Sequence, residues 1–262
     1  MQSSLMSVGS FDRAREDYEY IPARLVRSDG ESDFAISWAD LRLRPEVPEE
    51  WSLRESRSDY SSLAQDQFHS RLLNSDADED LIHGLLSVIF WGFVSGTDGR
   101  VNVRRALSKS RAILVGRAGL PAQDPNEVLQ HLRRARDASF VSIAEALVVA
   151  QRIKFLGMSF GSKLLMFMRP NTMAVYDSVV SEILQSHPHA EVRRLYVNPA
   201  FTMSASARQR QAQTYENWCH WCARKASELN SCGSRWHDWD GSLQTWRAVD
   251  VERAFFSQGR KV

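Results

Sequence analysis

The chain has 262 residues, 43% of them hydrophobic and 25% charged, with 13 Gly and 8 Pro. That balance suits one large folded domain or two modest ones and excludes collagen-like, low-complexity and wholly disordered classes. Thirty-three Lys and Arg against 32 Asp and Glu leave a formal charge of +1, so any nucleic-acid contact must come from where charges sit rather than from their sum.

Residues 1–75 mix short apolar patches, Phe34 to Trp38 with Leu41 and Leu43, with Pro45, Pro48 and many charges, and show no strong period. They read as an irregular, partly extended N-terminal section with one short strand at 33–38. The opening MQSSLMSVGS lacks a basic stretch followed by an apolar one, which predicts no signal peptide.

From Asp76 onward the period of 3.6 takes over. Asp78 or Asp80 is expected to cap a helix through Leu81, Leu85, Leu86, Ile89 and Phe90 to about Val94. Its apolar run, Leu85 to Val94, is too short to span a bilayer, so no membrane partner is expected. Gly96, Asp98 and Gly99 predict a turn. A basic amphipathic helix follows, with Val101, Ala106, Leu107, Ile113 and Leu114 set among Arg100, Arg104, Arg105, Lys109, Arg111 and Arg117. Gly119, Pro121 and Pro125 break it, and helices are expected at 126–136 and 142–153, the second apolar enough to be central. Further basic knots are Arg133, Arg134, Arg136 and Arg193, Arg194, while acids gather at Asp76, Asp78, Glu79, Asp80 and at Glu46, Glu49, Glu50. Segregation of this kind lets a neutral protein present one basic face.

A glycine-punctuated turn runs from Lys154 to Lys163, then an apolar run Leu164 to Met168 ended by Arg169, Pro170 and Asn171. Asp177 stands at the start of a helix over 178–184, a long helix spans 207–229, and a last one spans 249–256. The expected architecture is mainly α: an N-terminal section, 1–75, packing on a helical body, 76–262, with a hairpin at 154–164.

The turn and its lysine carry the chemistry. Gly157 and Gly161 permit close approach of another backbone, and the start of the next helix offers unpaired N–H groups suited to a phosphate. Lys163 lies beside Phe160, Leu164 and Leu165, an apolar setting for a nucleophilic amine. Fourteen positions on, Asp177 can turn a carboxylate toward the same cleft. Lys154, before the hairpin, is the alternative amine, and the bland reading makes Asp177 a simple helix cap, worth ~1 kcal/mol.

Leu156, Gly157, Gly161, Lys163, the run Leu164 to Met168 and Val175-Tyr176-Asp177 before Val179 and Val180 together resemble the helix-hairpin-helix DNA glycosylase superfamily, most closely the bacterial 8-oxoguanine DNA glycosylase-like proteins. Tyr215-Glu216-Asn217-Trp218 and Val251-Glu252-Arg253-Ala254-Phe255-Phe256 are similar to that family's closing helices, so the resemblance covers roughly 76–256. The hairpin is one residue longer than the usual form, without its proline, and the Lys163–Asp177 interval is short. The resemblance implies that Lys163 attacks the sugar of a flipped nucleotide and forms a Schiff base, while Asp177 stabilises charge on the sugar. It also implies that the hairpin, with Gly157, Ser159, Gly161 and Ser162, contacts double-stranded DNA bearing a damaged or modified base, oxidised guanine first; Arg104 and Arg105 of the basic stretch are read as further contacts, against the alternative of a solvated helix face.

The rivals are a non-catalytic helix-hairpin-helix DNA-binding protein, a helical interaction protein without a DNA role, and a glycosylase acting on modified bases of foreign DNA in defence. No metal or organic cofactor is called for. Cys219, Cys222, Cys232 and His237 have ligand-like spacing, but the first two fall in an aromatic helix where burial is ordinary. Three cysteines, an odd number, point to a reducing, cytoplasmic setting, and a monomer is expected.

Overall fold

The computed structural model describes residues 8–28, 36–38, 41–48, 60–95, 100–202 and 204–260. Among them run eleven helices and five short strands, so the fold is mainly α. The N-terminal section contains helix α1 (Val8–Glu16), strands β1 (Arg24–Arg27), β2 (Ile36–Trp38) and β3 (Leu41–Glu46), and helix α2 (Ser62–Leu73). The strands form an antiparallel sheet in the order β1-β3-β2. Leu41 and Leu43 point into the core while Arg42 points out, the alternation that the pleat imposes. β2 lies within the strand expected at 33–38, whose first three positions fall outside the described residues, as does the turn expected at Gly96, Asp98 and Gly99.

Helix α3 (Asp78–Val94) is buried on almost every side and serves as the central post. Helices α2, α4 (Val103–Val115), α7 (Met158–Met168) and strand β1 pack around it. Beyond it come α5 (Pro125–Ala138), α6 (Ile143–Ala150), α8 (Ser178–Ser186), the single turn α9 (Ala190–Arg193) and the long α10 (Ala205–Ser231). A two-stranded ribbon, β4 (Trp236–His237) with β5 (Leu243–Gln244), leads into α11 (Ala248–Arg260), which packs on α1, α8 and α10.

Polar side chains start most of these helices. Asn102, Asp124, Ser142, Asp177 and Ser204 each accept a backbone N–H from the first turn. Helix α3 departs from expectation, because its cap is Ala77, without a side-chain bond. Asp78 and Asp80 sit inside the first turn instead, complementing the helix dipole and pairing with Arg133 and Arg27.

The glycine-punctuated segment also divides differently. Turns occupy 151–155, with Phe155 at φ 83°, and α7 begins at Met158. Gly161, Ser162 and Lys163 are therefore helical rather than loop. The buried face that continues from Met158 into Leu164 and Leu165 extends the helix backward. Gly161 is the contact with α6, since a Cβ there would lie 2.8 Å from Leu147 Cδ1.

One buried chain of hydrogen bonds joins the sheet to the helices. The Leu25 N–H donates to Ser87 Oγ (3.0 Å), whose hydroxyl meets His69 Nε2 (3.0 Å). Since a carbonyl only accepts, His69 Nδ1 carries the proton given to Gln65 O (3.0 Å). Gln65 in turn donates to Ala23 O (2.8 Å).

Burial pushes the His69 pKa from 6.5 down to about 4. The folded-state value lies below the unfolded one, so the unfolded chain takes up the proton first as pH falls. Stability is complete above about 6.5 and is lost progressively toward about 4, by about 3 kcal/mol from this group. Denaturation midpoints measured across that interval should fall in the wild type, and His69→Asn should flatten the slope.

Candidate active site

A cleft of about 340 Å³ opens beside α3, α7, the start of α8 and α11, within the range of pockets that hold small ligands. Lys163, Met166 and Asp177 line it together with the aromatic side chains Tyr18, Tyr20, Trp91, Phe93 and Phe256. Tyr20 rests on Trp91 with ring centroids 4.5 Å apart, and Tyr18 meets Phe256 edge-on at 6.0 Å. Arg105 adds an exposed cation to the same lining.

Lys163 is the sixth residue of α7, one turn further from the positive helix end than the sequence suggested. Only 6% of it is exposed. Its Nζ donates to Asp177 Oδ2 at 2.9 Å and to Ser159 Oγ at 3.2 Å. Asp177 caps α8 with its other oxygen, which accepts the Val180 N–H at 3.2 Å. The cap reading and the chemical reading are thus not exclusive, because one carboxylate does both. Burial alone would raise the Asp177 pKa, but the charge and hydrogen bond of Lys163 outweigh it and hold the group below the ordinary carboxylate range.

The segment that delivers Asp177 has no regular structure, yet residues 173–176 are buried. Its backbone polar groups therefore need partners. Tyr215 OH donates to Ala174 O (3.0 Å), Trp218 Nε1 to Val175 O (2.9 Å), and the Tyr176 N–H donates to Ser162 Oγ (2.9 Å). Tyr176 OH accepts from the Val197 N–H (2.7 Å). Helix α10 and Ser162 thereby set where the carboxylate stands.

The residues expected to touch DNA separate into two groups. Gly157 caps α7 without a side chain, and the first N–H groups of that helix have no intrahelical acceptor. Ser159 is half-buried and accepts from Lys163. Gly161 gives its N–H to Gly157 O (2.8 Å), and Ser162 is fully buried with its hydroxyl held by Ser159 O and Tyr176. Neither can reach a phosphate, which corrects the expectation for both, since each faces the core side of α7. Lys154, the alternative amine, is exposed and not part of the cleft lining.

Arg104 and Arg105 are both exposed on α4. Arg105 and Lys109 lie 5.6 Å from the Phe93 ring, and Arg117 lies 5.0 Å from Phe155. Phe93 itself stacks on Phe160 at 4.6 Å. Among the described residues Arg105, Lys109 and Arg117 have no carboxylate partner, whereas Arg133 and Arg136 in the second basic knot are paired with Asp78 and Asp76. The open cations therefore stand next to the cleft.

Several residues of the site escaped the sequence. Tyr18 and Tyr20 fall in a stretch without a period, and Glu252 lies in a helix that looked merely closing. Glu252 is 4% exposed and lines the cleft, where burial and then Asp177 push its pKa up to about 8. One acid among Val251, Ala254, Phe255 and Phe256 was the available signal. Cys219 and Cys222 are buried in α10, with burial raising the Cys219 thiol to about 12, and Cys232 is exposed. No group of three His, Cys, Asp or Glu among the described residues could hold a metal ion, and no helix among them is long and apolar enough to cross a membrane.

A mainly helical fold is the framework that the sequence resemblance led one to expect. The family described as "Putative 8-oxoguanine DNA glycosylase OGG-like protein" matches residues 33–256. The chain belongs to that family, and the family is one of DNA glycosylases. No curated protein and no solved structure matches the chain.

Ser162→Ala should leave the buried Tyr176 N–H without an acceptor and cost about 1–3 kcal/mol, read as a shift in the denaturation midpoint.

Proposed function

We propose that the protein flips a damaged or modified base of duplex DNA into the cleft and excises it, with Lys163 as nucleophile and Asp177 as its carboxylate partner. The observation that carries this reading is the 2.9 Å contact between the two groups in an aromatic-walled cleft. Asp177 takes the proton that frees the amine, and the Lys163 nitrogen then attacks C1′ of the sugar. The bond from C1′ to the base breaks and its electrons leave with the base. The sugar ring opens to a Schiff base on Lys163, from which β-elimination cuts the strand, so lyase activity accompanies base release. Asp177 passes its proton to O4′ as the ring opens and, ionised again, pairs the positive charge on the Schiff-base nitrogen.

Flipping exposes a reacting carbon that stacking hides, and the aromatic side chains give the base faces to rest on. The free N–H groups at the start of α7, next to Gly157, suit a backbone phosphate in the manner of a helix-hairpin-helix motif. Arg105, Lys109 and Arg117 supply further phosphate contacts. Oxidised guanine is the first substrate, and other modified bases fit the same chemistry.

Borohydride trapping on duplexes carrying 8-oxoguanine and other modified bases tests this directly. A covalent protein–DNA adduct is expected in the wild type and none in Lys163→Gln, while Asp177→Asn should slow base release by about 100-fold or more. Wild type that binds DNA without releasing any base would sink the catalytic reading in favour of a binding module. Replacing Arg105, Lys109 and Arg117 together by Ala should lower the slope of log affinity against log salt by about 2–3, measured by titrating duplex binding at several salt concentrations.

A further inference from the structure

Glu252 is the one carboxyl group of the cleft that the mechanism above leaves unused. It is the fifth residue of α11, lines the cleft with Lys163 and Asp177, and makes no hydrogen bond or ion pair among the described residues. Its neighbours are Lys163 from α7, Asp177 at the start of α8, Arg253 from its own helix, Arg15 from α1, Tyr18 after α1, and Tyr215, Cys219 and Cys222 from α10.

Each cation among these is already committed. Lys163 pairs with Asp177, Arg15 with Asp250, and Arg253 grips both oxygens of Asp66. With Arg247 beside Asp66 and Asp250, and Asp238 beside Arg15, the four cations Arg15, Lys163, Arg247 and Arg253 match the four carboxylates Asp66, Asp177, Asp238 and Asp250. Arg105, the remaining cation of the lining, is exposed to solvent on α4, so Glu252 would be a fifth, unmatched negative charge in the buried part of the cleft. A lone buried carboxylate is costly, and the group escapes the cost by keeping its proton.

We propose that Glu252 is a general acid of this reaction, its carboxyl O–H protonating the departing base as Lys163 attacks the sugar. The idea rests on the glycosylase reading. As the C1′–N bond breaks, its electron pair moves onto the base, and the Glu252 proton passes to a nitrogen or carbonyl oxygen of that base. Glu252 becomes a carboxylate, the new bond joins C1′ to Lys163, and water restores the proton after the base has left. An acid whose pKa lies near the working pH gives up its proton without having lost it beforehand, and burial raises Glu252 to about 8.

The test is single-turnover base release from the duplex panel, with 8-oxoguanine opposite cytosine first, followed from about pH 6 to about pH 10. Wild type should slow about tenfold per pH unit above about 8, as Glu252 loses its proton. Glu252→Gln should be about 100-fold slower at neutral pH and should lack that decline. Trapping of the same variant on a preformed abasic site, which has no base to protonate, should slow by less than about tenfold. Glu252→Asp, which keeps an acid, should recover part of the rate and of the decline. A Glu252→Gln protein with wild-type rate, with the decline intact, or with equal losses in both assays would overturn the acid role while leaving the glycosylase reading standing. Wild type that releases no base from any duplex would bring down the reading and the acid role together.

Discussion

Three buried guanidinium groups, one of which (Arg253) also lines the cleft, tie together the helices that carry its walls. Arg15 reaches from α1 to Asp250 (3.1 Å) and Ser62, Arg253 reaches from α11 to Asp66, and Arg247 bonds both Asp66 and Asp250 at 2.7 Å. Asp238 accepts the Ser62 and Leu63 N–H groups that open α2. Stripping water from so many charges is expensive, and the arrangement holds only while each keeps its partner; removing one member of a buried pair typically costs about 3–5 kcal/mol. The network therefore acts as a lock on the relative placement of α1, α2 and α11. Tyr18 and Tyr20 follow α1, and Glu252 and Phe256 ride on α11, so both aromatic walls inherit their positions from it.

The opposite wall is fixed by hydrogen bonds rather than charge. The irregular segment before Asp177 is held by Tyr215 and Trp218 of α10 and by Ser162 of α7, the helix that also carries Lys163. Amine and carboxylate are thus referred to the same rigid elements, which keeps their separation independent of loop motion. The Asp177 oxygen that caps α8 cannot swing away without unpairing a backbone N–H. A site built this way holds its groups in register, and Arg105 and Lys109 of α4, which have no carboxylate partner among the described residues, lie beside it against Phe93.

Glu252 and the Lys163–Asp177 pair illustrate how environment separates two carboxyl groups in one cleft. Asp177 lies against an ammonium and a backbone N–H, so it stays ionised. The buried cations around Glu252, Lys163, Arg15 and Arg253, are each paired with another carboxylate, so burial governs it. Two like residues with opposed protonation states give the cleft a base and an acid without any residue type that is unusual in proteins.

The helices were legible in the sequence because their signals are local. Apolar spacing of 3.6 marked α5, α8 and α10 to within two residues of each end and put Asp177 at the head of α8, while α6 stops at Ala150, short of the expected 153. The candidate lysine was legible too, from its place between glycines and an apolar run. The start of α7 was not, because Gly157 caps it without a polar side chain and the helix is held by packing against α2, α3 and α6. For the same reason Gly161 and Ser162, which look like loop residues in one dimension, turn out to face the core. What the chain alone could not express was pairing at a distance: that Asp78 and Asp76 pair with Arg133 and Arg136 while Arg105, Lys109 and Arg117 keep no carboxylate partner among the described residues, and that the buried cations nearest Glu252 are paired elsewhere. Those properties belong to residues far apart in sequence and brought within a few ångströms by the fold, and electrostatic balance is settled only there.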